Sequence, residues 1–169
     1  MIVKLAKDNQ EIIELAQKKL EIDKEIIEII KQENPNFSYK KLVADLGEFH
    51  AKRNIDIFFD ELYYSSKRVS SCDLFGSLKI EYSQLWNLPK EVNIEVKTRY
   101  YQIGSPHLVN VHLDNFHLLV FVSLNEDYSI HYISMVKSCD LKVNSKNKVI
   151  YDGKISPLFA TKDKFDKHR

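Results

Sequence analysis

The stretch Val92-Asn93-Ile94-Glu95-Val96-Lys97-Thr98-Arg99 decides how the rest of this chain is read. Successive side chains of a strand point to opposite faces, so Val92, Ile94, Val96 and Thr98 line one side and Asn93, Glu95, Lys97 and Arg99 the other. The first set can bury against a core. The second holds a carboxylate and an ammonium side by side on a polar face. Upstream, Asp73 in Ser71-Cys72-Asp73-Leu74-Phe75-Gly76 supplies another acid, and the 22 residues from Asp73 to Glu95 suffice for a β-hairpin excursion that brings the two carboxylates together.

Outward from this strand the chain divides into helical and extended parts. Ile12, Ile13, Ala16, Leu20, Ile27 and Ile30 recur near helical spacing among Glu and Lys, predicting an amphipathic helix over about 10–31. Asn34-Pro35-Asn36-Phe37 breaks it, and Ser38 caps a second helix to about residue 53 with Leu42, Val43, Leu46 and Phe49 as its apolar stripe. Alternating or β-rich runs at 55–59, 72–80 and 92–99 predict strands. The unbroken apolar run 118–124 predicts a strand buried on both faces, and Asn125-Glu126-Asp127 turns it into a hairpin with 129–136. Residues from about 137 to 169 are polar, with a short strand near 149–151 and a basic tail. Helices first and strands after predict an α/β (α+β) single domain over 1–169, a central mixed β-sheet flanked by α-helices.

Composition sets the outer bounds. A 169-residue chain that is 44% hydrophobic and 29% charged has an ordinary globular balance and is large enough for one sizeable core. With a net charge of +1, any contact with nucleic acid must come from local clusters such as Lys52-Arg53, Lys67-Arg68 and Lys97 with Arg99. Cys72 and Cys139 are too few for a disulfide framework or a zinc cluster, which predicts a reduced, cytoplasmic setting. No apolar stretch reaches the ~20 residues of a membrane span, and the first residues lack a secretory layout, so no membrane partner is expected.

The chemistry that suits Asp73, Glu95 and Lys97 is phosphodiester cleavage. That reaction needs charge neutralised at the non-bridging oxygens, a deprotonated water and a stabilised leaving group. Magnesium supplies much of this and prefers hard oxygen ligands. Asp73 and Glu95 would be its carboxylates and the Val96 backbone carbonyl a third ligand. Lys97 would stabilise the attacking hydroxide or the charge developing on phosphorus; as a general base it would need a pKa lowered from ~10.4. By itself, a Glu-x-Lys on a strand is also the pattern of a solvated salt bridge. The triplets Asp140-Leu141-Lys142 and Asp152-Gly153-Lys154 read as surface or turn residues. What distinguishes Glu95-Val96-Lys97 is its company: Asp73 before it, and Glu48 on a helix where Ala44, Gly47 and Ala51 permit close approach to another element.

In these motifs, Leu46-Gly47-Glu48-Phe49-His50-Ala51, Cys72-Asp73-Leu74-Phe75-Gly76 and Ile94-Glu95-Val96-Lys97-Thr98-Arg99, the chain resembles the PD-(D/E)XK nuclease superfamily over about 42–124. The resemblance implies a restriction-endonuclease-like core of helix, hairpin strands, helix and strand. It also implies a magnesium-dependent DNA endonuclease, with Mn²⁺ able to substitute, in which Asp73 and Glu95 bind metal and Lys97 assists the water. Glu48 would match the acid many members carry on the first core helix, bonded to the metal or its water. Cys72 departs from the pattern, standing where the family name has Pro. A type II restriction endonuclease acting on double-stranded DNA as a homodimer is the biological form expected first. A junction-resolvase-like or repair nuclease, or a non-catalytic DNA-binding module of the same fold, are the alternatives.

Further residues have two readings each. Arg99 either holds a phosphate or is a plain member of the polar face. Tyr100 and Tyr101 are expected to be half-buried strand residues rather than DNA contacts, whereas Gln102 is a candidate contact. Lys67 and Arg68, just ahead of Asp73, either touch a strand phosphate or sit in a solvated loop. His107 is a base-contacting loop residue or part of a helix start. His117 and His131 read as ordinary sheet histidines, and Trp86, near Pro89, as a hydrophobic anchor in a connection.

Overall fold

A computed structural model describes residues 10–33, 40–65, 72–101, 107–110, 115–141, 148–151 and 157–161. Among the described residues, three α-helices precede or interrupt eight strands: α1 (Gln10–Glu33), α2 (Lys40–Ile55), β1 (Phe59–Tyr64), β2 (Leu74–Leu78), α3 (Ile80–Trp86), β3 (Glu91–Tyr100), β4 (His107–Asn110), β5 (Leu118–Leu124), β6 (Ile130–Lys137), β7 (Lys148–Tyr151) and β8 (Phe159–Ala160). The main sheet has the order β1-β2-β3-β5-β6-β8, and β4 pairs with β7 separately. Only β3 and β5 run parallel among these neighbours; the other pairs are antiparallel. The architecture is therefore mixed α and β around a mixed sheet, as the order of elements predicted. Among the described residues, the link from β3 to β5 contains β4, and the short helix α3 lies one step earlier, between β2 and β3.

Strand alternation puts a core on each side of the sheet. Leu74, Leu78, Val92, Ile94, Val96, Leu118, Val120, Val122 and Leu124 face Val43, Ala51, Ile55, Phe58, Trp86 and Phe159 in the larger core. On the reverse side Phe116, Leu119, Phe121, Tyr132, Val136 and Leu141 form a smaller one. All seven residues of β5 are buried, which accounts for its unbroken apolar sequence.

The buried face of the second helix is shifted from the stripe of Leu42, Val43, Leu46 and Phe49: Val43 is buried and Leu46 packs on the core, while the Leu42 side chain lies outside the described residues. Val43, Gly47, His50, Ala51, Asn54 and Ile55 are buried, and Leu46 and Phe49 are only half-buried. Small residues occupy the contact because α2 lies directly on β3: a Cβ added to Gly47 would stand 2.6 Å from Thr98 Cβ. The strand expected at 55–59 is also corrected. Ile55 ends α2, residues Asp56–Phe58 form a 3-10 turn, and β1 begins at Phe59. Alternation would have buried Ile57, yet Ile57 is exposed while Ile55, Phe58 and Phe59 are buried. The deciding contact is Phe58, whose ring meets Tyr82, Trp86 and Phe159 edge-on at 5.0 to 5.3 Å.

The run predicted as one strand over 72–80 ends at Leu78, and α3 starts two residues later. Trp86 anchors this short helix rather than a loop, and Asn87 closes it in the left-handed region at φ 51°. Asparagine tolerates that conformation better than most residues. The hairpin β5–β6 forms as expected, with its turn held by the Asp127 carboxylate, which accepts from Ser129 N at 3.0 Å and Ser129 Oγ at 2.6 Å. These bonds hold the Asp127 pKa below its ordinary value.

Candidate active site

The candidate site forms where β2 runs out beside β3. Their ladder begins at Leu74 opposite Ile94, and Asp73 is the next residue outward. The amide of Asp73 donates to Ile94 O at 3.1 Å, and its carbonyl accepts from Ser65 N at 2.9 Å. Both backbone groups of Asp73 are thus fixed between β1 and β3. Its carboxylate then turns back onto β3, where Oδ2 accepts from Val96 N at 2.7 Å. An acid side chain here takes the place of the strand partner that β2 no longer provides.

Backbone parity explains why Val96 is the residue caught. Asn93 directs its N–H and carbonyl toward His117 on the β5 side, donating to His117 Nδ1 at 3.0 Å and accepting from His117 N at 2.8 Å. Residues one step away on β3 therefore direct both groups toward β2. The carbonyl of Val96 shares that edge with its amide, and so lies on the side where Asp73 stands.

Glu95 and Lys97 share the opposite face from Val96, as the alternation predicted. Lys97 Nζ is hydrogen-bonded and ion-paired to Glu95 Oε1. The pair is mostly buried, with side chains 29% and 16% exposed. The Lys90–Asp60 pair, by comparison, is 57% and 51% exposed. The Asp73 carboxylate thus meets β3 at Val96, the residue between Glu95 and Lys97.

Glu48 comes to the same end of the molecule from α2. Its charge raises the Tyr64 pKa, second to burial of that phenol, and Tyr64 is the partner of Leu74 across β1 and β2. Lys52, one turn further along α2, places its ammonium 5.7 Å from the Tyr64 ring centroid. Among the described residues, no group of three or more His, Cys, Asp and Glu side chains gathers closely enough to hold a metal. The oxygen set at β2 and β3 is two carboxylates and a backbone carbonyl, which suits a cation that keeps most of its waters.

Arg99 continues the polar face past Lys97 and pairs in register with Ser123. Among the described residues, Arg99 Nη1 and Ser123 Oγ are buried without a hydrogen-bond partner. Tyr100 packs on Tyr128 with ring centroids 5.6 Å apart, and Tyr101 stacks on His131 at 3.7 Å. His117 serves the β3–β5 connection described above. The structural readings of these aromatic and histidine residues fit their contacts. His107 opens β4 opposite Tyr151, so its backbone is in a strand and not a loop or helix start. Lys67, Arg68 and Gln102 lie outside the described residues.

Two residues near this site carried no assignment in the sequence. Tyr63 and Phe75 stand directly opposite each other on β1 and β2, and Phe75 opposes Asn93 on β3. Phe75 is two residues from Asp73, so alternation alone could have placed it on the face of the acids. Tyr63 donates to the Glu61 side chain, which raises its pKa above the ordinary value.

Searches against protein-family models and curated protein sequences find no match to this chain. No helix among the described residues is long and apolar enough to cross a membrane.

Proposed function

We propose that this chain is a magnesium-dependent endodeoxyribonuclease of the PD-(D/E)XK type that hydrolyses phosphodiester bonds in double-stranded DNA. The observation that supports the reading is the bond from Val96 N to the Asp73 carboxylate, since Val96 is the residue between the paired Glu95 and Lys97. Asp73, Glu95 and the Val96 carbonyl would hold the cation, with Glu48 contributing from α2, directly or through a water. Bound there, Mg²⁺ or Mn²⁺ would neutralise phosphate charge and make a water more acidic.

The chain's own groups then have distinct tasks. Asp73, pinned through Oδ2 by Val96 N, would use its remaining lone pairs for the cation. Glu95 orients the Lys97 ammonium by accepting from it. Lys97 can donate to a non-bridging phosphate oxygen and stabilise charge as water attacks. Arg99, one alternation further along β3, extends the positive surface for the flanking phosphate. Lys67, Arg68, Gln102 and His107 are proposed as additional DNA contacts.

A type II restriction endonuclease working as a cytoplasmic homodimer is the biological form proposed, since cutting both strands calls for two such sites. The test is incubation of the pure protein with plasmid or phage DNA and Mg²⁺, beside Glu95→Ala and Lys97→Ala. Cutting by the native chain that disappears in both variants is expected. Cutting undiminished in both would refute the assigned site. Discrete fragments favour restriction, and a smear favours a degradative or repair role.

A further inference from the structure

The outer face of β1, β2 and β3 is graded in a way that the catalytic reading does not use. Strand register arranges it in rows: Glu61, Ser77 and Glu91; then Tyr63, Phe75 and Asn93. Asp73 and Glu95 follow, and Lys97 and Arg99 complete the sequence along β3. The aromatic row is open to solvent, with Tyr63 54% and Phe75 38% exposed. Beyond β3 the same face is closed, since Leu119 and Phe121 of β5 are buried in the smaller core. The accessible half of the face therefore begins with acids, passes through two aromatic rings and ends at the acid–amine site.

We propose that Tyr63 and Phe75 form a stacking platform for an unpaired nucleobase next to the phosphodiester held at Asp73, Glu95 and Lys97. The substrate class of the site is then DNA with a splayed base at the cut, not a continuous stacked duplex. This rests on the nuclease reading for the identity of the ligand.

Two features place the nucleotide. Phosphate is repelled from the Glu61 and Glu91 end and drawn to the Lys97 and Arg99 end, so the base must extend the other way, over the aromatic row. Phe75 is two residues from Asp73, about 6–7 Å along the strand. A duplex covers its base faces within the stack. Exposed rings at this place can stack only on a base that has left it, where any of the four bases presents a π-face.

The test uses the full-length chain with 12-nucleotide single strands, mismatched duplexes and perfect duplexes carrying 2-aminopurine, with Ca²⁺ in place of Mg²⁺ to prevent cutting. Binding of the single strand and the mismatch should quench the probe, with weaker binding of the perfect duplex. Phe75→Leu and Tyr63→Leu keep apolar bulk on an exposed strand face but remove the ring. Each should weaken single-strand binding by about tenfold and abolish most of the quench. Native-like quenching and affinity in both leucine variants would overturn the platform, as would absence of quenching by the native chain. Plasmid cutting in Mg²⁺ is scored separately. Quenching lost in the leucine variants with no cutting by the native chain would keep the platform and remove the nuclease. Cutting with unchanged leucine variants would do the reverse.

Discussion

Replacing Gly47 with alanine pits two opposing effects against each other at one atom. In an exposed helix interior, glycine to alanine stabilises by about 1 kcal/mol, because alanine restricts the unfolded backbone and favours the helix. At position 47 the new Cβ would overlap Thr98 Oγ1 and lie 2.6 Å from Thr98 Cβ and 2.7 Å from Cγ2. Rotating the threonine moves Oγ1 and Cγ2 but leaves Cβ in place. Carbon atoms prefer about 3.5–4.0 Å, so α2 would have to lift from β3 by about 1 Å. Ala51 and Ile55, both fully buried on the same helix, would lose packing as it rises. Overpacking of this kind costs about 1–3 kcal/mol and outweighs the helix gain. The expected net loss is up to about 2 kcal/mol, which lowers Tm by up to about 8 °C for a chain of 169 residues. Thermal unfolding followed by circular dichroism measures it. In a Thr98→Gly background the same change should become neutral or stabilising, since the obstructing atoms are gone. A Gly47→Ala protein that melts at or above the native temperature would refute the close contact between α2 and β3.

Asp73→Ala should destabilise by about 1–3 kcal/mol, because it strips a buried Val96 amide of its acceptor, whereas Asp73→Asn retains a carbonyl oxygen there and should lose much less. Denaturant melts of the two variants measure the difference, and DNA cutting should disappear in both. Ser123→Ala should raise stability by up to about 1 kcal/mol, since the hydroxyl it removes is buried without a partner; a fall in Tm would show that the hydroxyl is bonded. Asn87→Val should cost about 1–2 kcal/mol by forcing a β-branched residue to φ 51°, and Asn87→Gly should be neutral or slightly stabilising, both read from chemical melts. Asp127 has a lowered folded pKa, so its contribution to the hairpin is complete above its unfolded value and is lost as pH falls through the folded one. Melting temperature titrated below a pH of about 4 should therefore decline less steeply in Asp127→Asn than in the native protein.

The residues that alternate or repeat with a clear period were the legible ones. Val92, Ile94 and Val96 against Glu95 and Lys97 fixed the two faces of β3, and the unbroken run of β5 announced burial on both sides. Where a tertiary contact overrode period, the sequence misled. Ile55-Asp56-Ile57-Phe58 alternates like a strand, yet Phe58 turns inward to meet Tyr82 and Trp86 and the segment coils. The short helix α3 has too few turns to display a period, and its exposed Ile80 and Leu85 obscure the buried side. For α2 the bulky residues marked only one side of the contact, Val43 and Leu46, because its centre uses glycine and alanine to bring the helix close. The same small residues had nonetheless flagged that closeness.

The candidate site depends on a strand that stops early. Had β2 continued in register past Leu74, backbone groups would have satisfied Val96 and left no reason for a carboxylate in the ladder. Instead the chain spends Asp73 as a substitute acceptor, fixing a negative charge at the position where β3 presents Glu95 and Lys97. Burial alone makes such an arrangement costly unless each charge has a partner. Lys97 offsets one carboxylate, and among the described residues the Asp73 carboxylate accepts from the Val96 N–H. A hard dication would neutralise Asp73 in the proposed enzyme. Replacing both acids by their amides should for that reason leave the fold standing while removing Mg²⁺ binding measured by calorimetry, and retention of the native binding signal by the double amide variant would break the link between the strand's early end and the chemistry proposed for it.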